Sequence, residues 1–403
     1  MPDEVCILAA KRTPIGRFQG KLKAYTAPVL GGFAISALFD YHGLSKSLID
    51  ELYFGCVLTA GLGQAPARQA GLKGGLSEST PCSTVNKVCG SGMKAVMLAY
   101  DSVRLGAANH IIAGGMESMS NAPYLLSKAR SGLKMGHANC LDHMFTDGLE
   151  DAYEGHLMGV YAQQTADHLN YTRKEMDNWA ILSAQRAKQA QQSHESECEI
   201  VPIATSSKSD DAEILDHDEH ATYIDIEKIA TLKPVFHEQG TITAANSSAI
   251  SDGAAALHIT SLAEAKRLNK EPLALIKGHS THARTPAEFT LAPVFAIEHL
   301  LSQLDWQIDE VDLWEINEAF AVVTQLAIKQ LGIDGDKVNV KGGACALGHP
   351  IGATGARIIV TLAHSMNALK ELQIRNGVDK PVRGIASLCI GGGEATAIAI
   401  EVP

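Results

Sequence analysis

Ile49-Asp50-Glu51-Leu52, an acidic opening to the apolar run Leu52–Leu58, returns later in the chain as Ile308-Asp309-Glu310-Val311 ahead of Asp312–Ile316. Four residues can match by chance, but a second pair follows in the same order. Gly114-Gly115-Met116-Glu117 closes the first strand-helix-strand run, and Gly391-Gly392-Gly393-Glu394 closes the second. Around the first copy, short β-like runs (Val5–Ala10, Leu52–Leu58, His110–Ala113) alternate with helical patterns (Val29–Phe39, Cys89–Leu105). Alternation of this kind reads as an α/β fold, and the paired motifs make it a duplicated one.

Equal steps onward from Ile49 and Ile308 reach Cys89 and Gly348, the residue before His349, both in loops that lead into helices. The second copy is longer beyond this loop, and the polar stretch Glu371–Arg383 is expected to absorb the excess as an outward excursion. Between the halves lies a different region. Thr172-Arg173-Lys174-Glu175 has capping-box spacing and precedes the long pattern Trp179–Gln191, and the acidic, serine-rich Ser206–His220 reads as a solvated connector. The expected organisation is a first half over 1–122 plus about 244–270, an inserted, substrate-covering α+β loop domain over 123–243, and a second half over 271–403.

The chain has 403 residues, 46% of them hydrophobic, enough for a large buried core. Its 34 Lys and Arg against 45 Asp and Glu give a formal charge of -11, which argues against nucleic acid or a membrane surface as a general partner. A local basic pocket for an anionic ligand is compatible with that balance. The eight cysteines show neither C-x-x-C pairs nor Cys/His metal spacing, so reduced thiols, no metal and a cytoplasmic compartment are expected. The run Met1–Leu8 lacks a basic segment followed by a long apolar one, and no stretch reaches membrane-spanning length.

Four motifs carry chemistry. Val85-Asn86-Lys87-Val88-Cys89-Gly90-Ser91-Gly92-Met93-Lys94-Ala95 puts a thiol where a glycine-bearing turn becomes a helix. The unpartnered N–H groups and positive dipole end there favour a thiolate, although alone such a cysteine also reads as a small buried hydrophobe. Asn317-Glu318-Ala319-Phe320-Ala321 follows the second-half strand, where open α/β sheets place functional groups. Gly342–Arg357 holds His349 in a glycine-rich loop ahead of a helix, without the spacing of a dinucleotide fingerprint. Cys389-Ile390-Gly391-Gly392-Gly393-Glu394 puts a second thiol before a backbone-exposing turn. Glu318 and Glu394 also read as capping or pairing groups, and Cys345, close to His349, is a competing thiol.

Together these motifs resemble the thiolase family, from Ala9-Ala10-Lys11-Arg12-Thr13-Pro14-Ile15-Gly16 to the Cys389 turn, with the closest likeness to acetyl-CoA acetyltransferases. The resemblance implies duplicated α/β halves in a layered arrangement. It implies a Cys89 nucleophile, a His349 that activates it, a Cys389 acid/base and an Asn317 that orients a water. Acetyl-CoA, acetoacetyl-CoA and CoA would be the substrates and products, with no further cofactor. One oxyanion site would be built from His349 and the Asn317-bound water, the other from the N–H groups of Cys89 and Gly391. The family is commonly dimeric or a dimer of dimers, so a homodimer or homotetramer is expected.

By the same resemblance Ser248 contacts the pantetheine, Phe236 forms an apolar wall, Phe320 lines the acyl end and Met158 narrows the acyl pocket. Two positions depart from the family pattern. Leu157 stands where many acetyl-specific members carry histidine, and Ala221-Thr222-Tyr223-Ile224 offers no counterpart to the arginine expected on adenine. Lys228, His220 or a partner subunit are the replacements considered. A degradative 3-ketoacyl-CoA thiolase of broader chain length is the alternative activity. A catalytically silent acyl-CoA binding protein on the same scaffold is the alternative of a different class, opposed by retention of all four motifs.

Overall fold

Strand residues of this chain alternate between two apolar layers, as a period-two backbone requires. Along Ser251–Ser261, Ala255, Leu257 and Ile259 join one buried cluster while Ala254 and Ala256 join another. The same alternation divides Ala395, Ala397 and Ala399 from Ile398 and Ile400 in the last strand. A sheet buried on both faces needs helices on both, and the computed structural model, which describes residues 4–205 and 213–403, has them.

The first half runs β1 (Val5–Arg12), α1 (Ala27–His42), β2 (Glu51–Gly55), α2 (Pro66–Lys73), β3 (Cys82–Val85), α3 (Ser91–Arg104) and β4 (His110–Ser118). The inserted region carries two longer helices, α4 (Met158–His168) and α5 (Arg173–Gln192), before the chain returns as β5 (Ser251–Ser261). The second half runs β6 (Ala274–Ala283), α6 (Ala292–Leu304), β7 (Leu313–Ile316), α7 (Ala321–Leu331), α8 (Ile351–Arg375), β8 (Val382–Ile390) and β9 (Glu394–Val402). Strand order is β7-β8-β9-β6-β1-β5-β4-β2-β3, with Gly16–Arg17 pairing against β5. Outward from the β6–β1 seam each half repeats one scheme: two antiparallel pairings, then a parallel one to β2 or β7. The isolated parallel bridge between Trp314 and Val338 stands where the first half has β3.

Three apolar clusters turn this topology into layers. Residues of α1 and α2 cover the outer face of the first half, and residues of α6 and α7 cover the outer face of the second. Between the two inner faces lie α3 and α8, which pack Met93, Val96 and Met97 against Ala356, Ile359 and Val360.

The duplication is real, but its register differs from the sequence match. Asp50 donates its N–H to His110 O at 2.9 Å and accepts from His110 N through Oδ2 at 3.0 Å. Asp312 does the same with Arg383, at 2.9 and 3.0 Å. Asp312, not Asp309, is therefore the equivalent of Asp50. Gly114 and Gly115 lie inside β4, whereas Gly391–Gly393 form the turn after β8, so these glycines are not equivalent either. The expected excursion over Glu371–Arg383 is shorter than read, because α8 continues to Arg375 and Arg383 is already in β8. Of the expected connector, Ser206–Ala212 lies outside the described residues, as does Met1–Asp3 of the N-terminal run. Its far end is not solvated: Asp218 and Glu219 are buried against the first half. Among the described residues no helix is long and apolar enough to cross a membrane.

Candidate active site

The loop that carries Cys89 is held by its own side chains. Ser91 Oγ accepts from Lys87 N at 2.8 Å and donates to Val88 O at 2.6 Å, and Asn86 Oδ1 accepts from Val88 N at 3.0 Å. This clamp keeps Val88 at φ 45°, a left-handed conformation that a β-branched residue rarely adopts. Behind the loop, α3 and α8 approach backbone to backbone. A Cβ on Gly92 would sit 2.8 Å from Ala356 N, and one on Gly355 would sit 2.4 Å from Met93 N, so only glycine allows the crossing. The approach brings the starts of both helices to one cavity of about 620 Å³, lined by Cys89 and by His349 from the loop before α8.

His349 is buried and directed. With the Thr354 hydroxyl donating to Pro350 O at 3.0 Å, His349 Nδ1–H donates to Thr354 Oγ1 at 2.6 Å. That tautomer leaves a lone pair on Nε2, a buried atom with no partner among the described residues. Burial, reinforced by the charge of Arg357, brings the imidazole down to about 3, so it is neutral. Glu117 pins the first turn of α8 beneath it, accepting from Gly352 N at 2.9 Å and from Val57 N and Leu58 N at 3.1 Å each.

Cys389, next to last in β8, and Gly391 of the following turn line the same cavity. Burial pushes the Cys89 thiol up to about 11, against the opposing pull of the N–H groups of Gly391 and of Cys89 itself. Cys389 is also pushed up, by burial and then by the neighbouring Cys89. The thiolate expected from the helix start is thus corrected. The site holds two neutral thiols and a neutral imidazole, because desolvation outweighs the helix end. The two N–H groups that face Cys89 Sγ are those read from the sequence as an oxyanion site.

Of the residues read as substrate contacts, Leu157, Met158, Phe236, Ser248 and Phe320 all line the cavity. Phe320 makes edge contacts with Phe236 and Phe289, centroids 6.4 and 6.3 Å away. Met158 closes over the reactive end, where a Cβ on Gly391 would stand 3.7 Å from its Sδ. Lys228 does not reach the cavity. Its side chain is 76% exposed and pairs with Asp225 on its own helical turn. Asn317 follows the end of β7 and is 1% exposed, but it is not among the lining residues, and its amide Oδ1 and Nδ2 are buried without a partner among the described residues. Cys345 is buried against Glu318 O, away from the lining.

Glu318, which from the sequence reads as a capping or pairing group, pairs extensively. Its carboxylate accepts from Trp179 Nε1 at 3.0 Å and Ser183 Oγ at 2.8 Å, both on α5, and from Asn339 Nδ2 at 2.8 Å and Cys345 N at 3.0 Å. It fixes the inserted helix against the loops that carry Asn317 and His349. Glu394 pairs with Lys87 of the Cys89 loop. Phe145, Leu149 and Arg17 are lining residues that no local signal marks, since each reaches the cavity from a distant segment.

Both halves of the chain match one family of known proteins. The family model for the thiolase N-terminal domain matches residues 5–263, and that for the thiolase C-terminal domain matches residues 270–402. A "probable acetyl-CoA acyltransferase" of Staphylococcus aureus strain COL is 43% identical over 398 residues, covering 98% of each chain, and its counterpart in strain NCTC 8325 / PS 47 matches equally. Among solved structures, the Acat5 thiolase of Ascaris suum in complex with coenzyme A superposes with a TM-score of 0.91 at 38% identity, over 99% of this chain and 100% of that one. The chain belongs to the thiolase family.

Proposed function

We propose that this protein is an acetyl-CoA C-acetyltransferase that joins two molecules of acetyl-CoA into acetoacetyl-CoA and CoA, reversibly, through an acetyl group on Cys89. The observation that carries this reading is the convergence of Cys89, Cys389, Gly391 and the lone pair of His349 on one apolar cavity. The coenzyme A complex of the similar Ascaris suum protein supports a CoA thioester as the ligand.

The proton balance follows from the neutral resting groups. His349 Nε2 takes the Cys89 proton as sulfur attacks the thioester carbonyl. The C–S bond to CoA breaks, and the Cys389 S–H protonates the departing sulfur. Cys389 is then the thiolate that removes the α-proton of a second acetyl-CoA, a step in which a placed base contributes roughly 10²–10⁴-fold. The enolate carbon attacks the acetyl group on Cys89, Cys89 sulfur is expelled, and His349 returns its proton. Negative charge on the Cys89-bound carbonyl oxygen falls to the N–H groups of Cys89 and Gly391, and charge on the second thioester oxygen to His349 with the Asn317-held water.

Met158 over the Gly391 turn favours the shortest acyl group. The apolar lining further out, with Leu157, Leu149 and Phe145, favours the second reading, a degradative thiolase of broader chain length. Incubation with acetyl-CoA alone is expected to add one acetyl group, at Cys89, located by peptide mass mapping; label elsewhere or none removes the reading. Thiolysis rates across acyl chains of increasing length decide between the two, acetoacetyl-CoA being fastest under the first.

A further inference from the structure

Among the described residues the cavity of Cys89 is lined by apolar and hydroxyl side chains, by His220 and His349, and by one arginine, Arg17, with no lysine and no carboxylate. A CoA thioester presents the opposite chemistry at its far end, an apolar pantetheine arm finishing in a phosphate-bearing nucleotide. We propose that Arg17 is the cation that receives those phosphates at the mouth of the cavity, an assignment that rests on the acyl-CoA reading above.

Arg17 is presented rather than loose. Glu219 Oε2 accepts from both Arg17 N and Lys21 N at 3.0 Å, closing the turn between them, and a Cβ on Gly20 would lie 2.4 Å from the same oxygen. One residue earlier in the inserted region, Asp218 Oδ1 accepts from Ile15 N at 2.8 Å, so two buried carboxylates fix the segment on either side. The guanidinium carbon lies 4.4 Å from the centroid of the Tyr223 ring, a stacking that orients the plane without consuming its N–H donors. Among the described residues no hydrogen bond or ion pair occupies those donors. An arginine fork held flat, half-buried and unspent beside an apolar cavity is suited to phosphate oxygens. The competing cation fails on position, since Lys228 is outside the cavity and paired with Asp225. His220 fails on charge: burial and the nearby Arg17 keep its imidazole below the usual range. With a formal charge of -11 on the whole chain, an anionic ligand gains little from the long-range field and depends on such a local contact.

The test compares ligands with and without phosphates. Binding of CoA and of phosphate-free pantetheine is measured by calorimetry in the wild type, Arg17→Ala, Arg17→Lys and Lys228→Ala. KM is measured with acetoacetyl-CoA and with acetoacetyl-pantetheine. Loss of a charge-assisted contact predicts that Arg17→Ala weakens CoA about 10- to 100-fold and raises KM for the CoA thioester in proportion. Pantetheine binding and the ratio of kcat values should not share that loss, and Arg17→Lys should recover part of it. Equal effects on both ligands, no effect on CoA, or the larger effect in Lys228→Ala overturns the assignment. A wild type that binds CoA in an Arg17-dependent way but turns over neither thioester would leave Arg17 standing and remove the acetyltransferase reading instead.

Discussion

At the scale of the residue, the reaction depends on which nitrogen of His349 carries the proton, and Thr354 decides it. The hydroxyl is committed to Pro350 O, as helical threonines often are, and its oxygen then accepts from Nδ1–H. Thr354→Val keeps the shape and removes the acceptor, so the imidazole loses both its tautomer preference and its orientation. We expect kcat to fall about 10- to 100-fold with KM nearly unchanged, within the range that general acid/base groups contribute. Slower alkylation of Cys89 by iodoacetamide should accompany the fall. An unchanged kcat, or a loss confined to KM, would show that Thr354 only packs. The two helix-entry loops were legible in the sequence because glycine, cysteine and histidine there are local marks. The clamp around Val88 was not, since nothing in Asn86–Ser91 announces a valine at positive φ.

At the scale of the element, the first half is tied together by a chain of imidazoles remote in sequence. Leu44 N donates to His42 Nδ1 at 3.1 Å, which makes His42 Nε2–H the donor to His258 Nδ1 at 3.0 Å. His258 Nε2–H must then donate to His110 Nδ1 at 3.1 Å, and His110 Nε2–H to Glu264 Oε1 at 2.9 Å. One backbone N–H thus sets three tautomers across α1, β5 and β4, and the chain closes only with neutral rings. Lys270 faces His42, Asp50 accepts the His110 backbone N–H, and Arg267 shares Glu264. Burial, then Lys270 and His110, lowers His42 to about 4, and burial with the neighbouring His42 and His110 lowers His258 as well. The unfolded chain, with imidazoles near 6.5, therefore holds more protons than the folded one between about pH 6.5 and 4. Stability is full above that window and falls as pH drops through it, by about 1.4 kcal/mol per pH unit for each such proton. Urea unfolding across pH should show this slope, and it should be shallower in His42→Asn; parallel curves would refute the chain as its source. Such a network has no sequence signal, because its members are far apart. By contrast the capping box of α5 spans four residues and was legible: Thr172 Oγ1 accepts from Glu175 N at 3.2 Å and Glu175 Oε2 from Thr172 N at 2.7 Å. The duplicated α/β plan was legible from its alternation, but not its register, since only the pairings of Asp50 and Asp312 with β4 and β8 fix which aspartates correspond.

At the scale of the molecule, the inserted region is fastened to both halves, and the cavity lies where the three meet. Towards the second half the fastening is Glu318 with Trp179 and Ser183. Towards the first half it is Arg12 of β1, 1% exposed, whose Nη1 and Nη2 reach both oxygens of Asp218 at 2.7 and 2.8 Å and whose Nε and Nη2 reach Glu199 Oε1 at 3.1 and 2.9 Å. The guanidinium holds Glu199 at about 2, with Lys341 and His364 assisting. Replacing a buried charge cluster as a whole is often nearly neutral, whereas removing one partner strands the rest. Arg12→Met leaves two buried carboxylates facing each other, and it is expected to cost about 3–5 kcal/mol in urea unfolding. Protonation relieves stranded carboxylates, so the deficit should shrink as pH falls and should be partly repaired by adding Glu199→Gln and Asp218→Asn. If the cluster also seats the Arg17 turn through Asp218 and Glu219, the Arg12→Met protein should show a raised KM for acetoacetyl-CoA before any loss of kcat, because the catalytic loops are held independently by Glu117 and Ser91. A stability loss under about 1 kcal/mol, the size typical of a surface ion pair, would mean that the inserted region is held mainly by its apolar contacts.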